Sequence, residues 1–122
     1  MSSVPAPLER PERGTVLRTF SGTLPRPPGQ VFESLKTRLT PGSPEAGSFA
    51  SDPTTGLIVQ QGGWWYRAEY RVTPDAAGSR VTLHIVNVAQ PAHWLGPITG
   101  RDVLKGSGAA FDTLLAVLAA EA

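Results

Sequence analysis

The residues best placed to do chemistry in this chain are aromatic and few. Trp64, Tyr66 and Tyr70 share one parity of an alternating run with Ala68 and Val72, while Trp65, Arg67, Glu69, Arg71 and Thr73 take the other. A period of two marks a strand with one core face and one wet face. Aromatic rings on the core face either fill it or line a site for an apolar ligand, where tyrosine hydroxyls are the polar anchors. Phe20 and Phe111 fall on predicted inner faces too. Two side chains break their own pattern. Arg18 shares the parity of Val16, Phe20 and Leu24; its guanidinium either meets a ligand carboxylate or enolate oxygen, or snorkels to the sheet edge. Asn87 shares the parity of Val81, Leu83 and Ile85, and either orients a ligand carbonyl or is turned outward by a bulge near 86–88. The ligand-binding candidates are therefore Arg18, Phe20, Trp64, Tyr66, Tyr70, Asn87 and Phe111. No catalytic residue is singled out.

Other chemistries find little support. The chain has no cysteine, hence no disulfide, thiolate metal site or thiol nucleophile. Its two histidines, His84 and His93, have no carboxylate-rich cluster beside them, so no metal site and no cofactor are expected. His84 falls on the polar face of its strand and reads as solvated. His93, beside Trp94, reads as loop packing or as a general acid/base at a pocket mouth. Eleven basic and ten acidic residues leave a net charge of +1, which argues against a nucleic-acid partner. No apolar run reaches the roughly 18 residues of a membrane span. Residues 1–14 lack the basic start and apolar stretch of a signal peptide, so a cytoplasmic location is expected. Nine arginines against two lysines, with abundant Ala, Gly and Pro, suggest a GC-rich bacterial source.

The elements that must hold these residues can be read from punctuation and period. Gly and Pro supply 25 of 122 residues, and most of them mark boundaries. Residues 1–14 read as a flexible tail, and residues 15–122 as one domain. Alternation from Val16 to Leu24 predicts a first strand, stopped by Pro25, Pro27 and Pro28. Val31, Phe32, Leu35 and Leu39 at helical spacing predict a helix of about eleven residues that opens on those prolines. A Pro/Gly/Ser-rich loop over 41–56 carries one short strand near 47–51, and Leu57–Gln61 forms another. Gly62-Gly63 suits a two-residue hairpin turn. Two long strands then meet across a five-residue turn at Pro74–Gly78, with Arg67, Glu69 and Arg71 on a solvated face. Leu104, Gly108, Phe111, Leu115 and Leu118 form the apolar stripe of a long final helix, the one element large enough to cover such a sheet. Gly22, Gly106 and Gly108 lie inside regular elements and mark either close packing or room for a ligand.

In that order the motifs resemble the SRPBCC superfamily, also called START-like or helix-grip. Leu24-Pro-Arg-Pro-Pro28-Gly-Gln-Val31-Phe32 is similar to its strand-to-helix junction, with Arg26 where a small residue is usual and Gly29 in place of an acid. Trp65-Tyr66-Arg67 to Asn87-Val88 resembles its long hairpin, and Phe111-Asp112-x-Leu114-Leu115-x-x-Leu118 its closing helix. The family's second short helix is missing, replaced by the 41–56 loop. The resemblance implies an α+β, helix-grip fold: a curved antiparallel sheet wrapped round a long C-terminal helix. It also implies a cavity for a small hydrophobic molecule, lipid- or polyketide-like. Two other functions stay open: a polyketide cyclase/dehydratase-like enzyme, and a non-catalytic interaction or dimerisation module using a sheet edge or an exposed Trp65. The expected state is a monomer or homodimer.

Overall fold

The computed structural model describes residues 7–10, 14–40, 48–62, 65–88 and 101–120. The elements run β1 (Thr15–Leu24), α1 (Pro28–Leu39), β2 (Ser48–Asp52), β3 (Leu57–Gly62), β4 (Tyr66–Asp75), β5 (Gly78–Asn87) and α2 (Arg101–Ala120). The strands form one antiparallel sheet in the order β1-β5-β4-β3-β2. The protein is thus an α+β fold, with a five-stranded sheet and a C-terminal helix. β1 pairs with the last strand at one edge, the chain then passes to the opposite edge, and β2 through β5 run back as a meander.

Both helices cover the same sheet face. A single core cluster joins Val31, Phe32 and Leu35 of α1 and Leu104, Phe111 and Leu118 of α2 to Ala68, Tyr70, Leu83 and Ile85 of the strands. Pro28 occupies the first turn of α1, where its missing N–H costs nothing. The Gln60 amide donates to the Leu39 carbonyl at the other end of that helix. Arg26 ties the β1–α1 junction to the final helix: its buried guanidinium donates to the Leu118 carbonyl over 2.9 Å. A cation suits the dipole-negative end of α2.

Two turns are tighter or placed differently than expected. Asp75 pairs with Gly78, so β4 and β5 meet through two residues rather than five. The Asp75 carboxylate accepts the Ala77 N–H, an Asx turn, and Gly78 takes φ 134°. Pro74 is tolerated within β4 because β3 stops at Leu57, opposite Arg71, leaving Pro74 one strand neighbour. Gly62 belongs to β3 and pairs with Tyr66, so the connection is residues 63–65 and not a Gly62-Gly63 turn. The bulge predicted in β5 lies instead in its partner, where Leu17 is the extra residue between Val16 and Arg18.

Candidate functional site

Alternation along β4 puts Tyr66, Ala68, Tyr70 and Val72 on the helix-covered face. The β4–β5 register sets Ile85 opposite Ala68 and Leu83 opposite Tyr70, so β5 continues the same apolar floor. Phe111, Leu114 and Ser107 of α2 form the roof. Gly106 and Ala110 bring almost no side chain to it, and space is left between roof and floor. A cavity of about 340 Å³ results, lined by Tyr66, Tyr70, Leu83, Ile85, Phe111 and neighbouring α2 residues. That volume lies at the lower end of small-molecule sites.

The predicted candidates divide. Tyr66, Tyr70 and Phe111 line the cavity together. Phe20 stands one layer away, its ring stacked on Phe111 at a centroid distance of 5.9 Å. Asn87 is only 1% exposed and pairs in register with Tyr66. No bulge turns it outward, and it is not among the lining residues. Arg18 does not join them: it is exposed on the edge strand, and its guanidinium donates to the Leu17 carbonyl over 2.8 Å. The bulge at Leu17, together with the open edge of β1, lets this long side chain reach water. Trp64 and His93 lie outside the described residues. Trp65 is only 7% exposed and meets Tyr66 edge-to-face, so the exposed tryptophan expected of an interaction module is instead part of the core.

The three interior glycines separate by what a side chain would meet. A Cβ at Gly22 would run into Leu115, and one at Gly108 would come within 3.3 Å of the Phe20 ring. Both mark close sheet–helix packing. A Cβ at Gly106 would meet nothing within 4 Å, and this exposed glycine borders the cavity.

Among the described residues, the cavity's polar groups are two phenols and one serine. Burial pushes both tyrosine hydroxyls above the ordinary phenol range, Tyr70 further because Tyr66 adds its charge. Both are therefore neutral at pH 7 and can donate. Neither has a hydrogen-bond partner among the described residues. Ser107 Oγ–H donates to the Leu104 carbonyl over 2.6 Å, leaving its lone pairs for anything beside it.

Around Arg67 and Glu69 the opposite sheet face is not the solvated surface that its charges predict, whereas Arg71 is exposed as expected. Arg67 is 0% exposed. Its guanidinium donates to the Pro7 and Leu8 carbonyls, to Gln61 and to Glu69, so residues 7–10 lie over this face. Arg10 adds a second guanidinium to Glu69, with its Nη2 3.5 Å from His84 Nδ1. Burial alone would raise the Glu69 carboxyl. The hydrogen bonds and charges of Arg10 and Arg67 outweigh it and hold the group below the usual carboxylate range. Sequence pattern misses this arrangement because the covering segment has no period, and its contacts span about sixty residues.

No helix among the described residues is long and apolar enough to cross a membrane. Those residues bring together no group of three or more His, Asp or Glu able to hold a metal ion. In comparisons with known proteins, no family model, no curated protein and no solved structure matches this chain.

Proposed function

We propose that this chain is a small-ligand-binding domain of the helix-grip kind, taking an apolar molecule between its sheet and α2. The observation that carries the reading is the cavity of about 340 Å³ whose floor is β4 and β5 and whose roof is α2. A space this size, walled by Tyr66, Tyr70, Leu83, Ile85 and Phe111, has the apolar lining and sparse polar groups of a ligand site. The element order supports kinship with the SRPBCC proteins: strand, short helix, antiparallel strands, then a long helix over the sheet.

Titration with N-phenyl-1-naphthylamine, a neutral probe that fluoresces in apolar surroundings, tests this reading. Saturable 1:1 binding with a micromolar Kd is expected. A signal that rises without saturating, or none, argues for a closed core.

A further inference from the structure

We propose that the cavity selects an uncharged ligand bearing a carbonyl-type oxygen, which accepts a hydrogen bond from the Tyr66 or the Tyr70 hydroxyl. The proposal rests on reading the cavity as a ligand site and names the chemistry that fits it.

The argument begins with the two donors. Both tyrosines project to the same face of β4, on either side of Ala68, and both line the cavity. Tyr70 is 8% exposed, and neither hydroxyl is spent on another described residue. Water can satisfy them while the cavity is empty. A ligand that expels this water must replace its hydrogen bonds, because a buried unsatisfied donor is penalised by about 1–3 kcal/mol. A pure hydrocarbon leaves both phenols unpaired. A carbonyl oxygen offers two lone pairs at no charge.

Charge narrows the class further. No Lys, Arg or His is among the described residues lining the cavity. The strand's own cation, Arg67, lies on the other face and is engaged by Glu69. A carboxylate entering this space would lose its hydration without meeting a counter-charge. Ligand hydroxyls are less well served than carbonyls, since among the described lining side chains Ser107 is the one acceptor not itself a phenol, and phenols donate better than they accept. Ketones, esters and lactones on an apolar frame therefore fit; fatty-acid anions do not.

Three molecules of similar shape test this against the bound naphthylamine probe: benzophenone, diphenylmethane and diphenylacetate. Benzophenone is expected to displace the probe at concentrations at least tenfold lower than either of the others, with its carbonyl stretch shifted to lower wavenumber on binding. In the Tyr66→Phe/Tyr70→Phe double variant, benzophenone and diphenylmethane should bind equally well, read by calorimetry without the probe. Equal competition in the wild-type protein overturns the acceptor selection and leaves the cavity reading standing. Tighter binding of diphenylacetate overturns the exclusion of anions. A benzophenone preference that persists in the double variant, shown by its melting curve to be folded, removes the tyrosines from the role. No probe binding to the wild-type protein overturns both proposals.

Discussion

The Arg67 guanidinium donates to the Glu69 carboxylate over 2.7 Å on the outer face of β4, where Arg67 is fully buried and Glu69 nearly so. These two residues alternate with the tyrosines that border the cavity on the inner face. One strand thus carries a buried ionic clasp on one side and the candidate ligand donors on the other. The clasp also anchors the N-terminal segment, through Arg67 to the Pro7 and Leu8 carbonyls and through Arg10 to Glu69.

Removing the carboxylate should reveal how far the fold depends on this clasp. Glu69→Gln leaves Arg67 buried with only neutral acceptors, and breaking a buried pair in this way destabilises by about 3 kcal/mol. A lower urea midpoint with an unchanged slope is the expected result. A variant as stable as the parent would show that the carbonyls of Pro7 and Leu8 suffice.

The same group predicts an acid sensitivity with a definite sign. Its folded-state pKa is depressed, so its stabilising contribution is complete above the unfolded carboxylate value, about 4.3. That contribution is lost as pH falls through the lower, folded value. The stability difference between wild type and Glu69→Gln should therefore be constant from pH 7 to about pH 5 and shrink toward pH 3. Urea titrations across that range check it; a difference that holds at pH 3 contradicts it.

Gly78→Ala should be strongly destabilising for a local reason. The residue has φ 134°, and an added Cβ would stand 2.6–2.8 Å from the Leu24 carbonyl oxygen and the Arg26 backbone N and O. Those atoms belong to the β1–α1 junction, where Ser79 Oγ also donates to the Arg26 carbonyl. A loss of about 2 kcal/mol or more, read from thermal or urea unfolding, is expected.

These relationships were legible in the sequence to different depths. The alternation of β4 and the stripe Leu104, Phe111, Leu118 each announce a face, because local period dictates which side chains point together. Tyr66, Tyr70 and Phe111 could be set on inner faces for that reason, and they meet at one cavity. Turn lengths were harder to read. Pro74 looks like a strand terminator until the short reach of β3 is known, and Gly62 looks like a turn residue until its pairing with Tyr66 is seen. Arg18 keeps its inward parity in sequence, but the Leu17 bulge and the edge position of β1 free its side chain. Burial of Arg67 was least legible of all. Charged residues on an alternating strand normally face water, and the segment that covers this one carries no periodic signal.

The central claim, that the space beneath α2 receives a ligand, is tested most directly by closing it. Gly106 is exposed at the cavity border, and an added Cβ there meets nothing within 4 Å, so Gly106→Leu can add bulk at the border. Replacing glycine inside a helix should also stabilise the fold by about 1 kcal/mol. The measurement is the naphthylamine Kd of wild type against Gly106→Leu, with melting temperatures recorded beside it. The account predicts micromolar binding to the wild type and at least tenfold weaker binding to a variant that melts no lower. Equal affinity in the two proteins would contradict it.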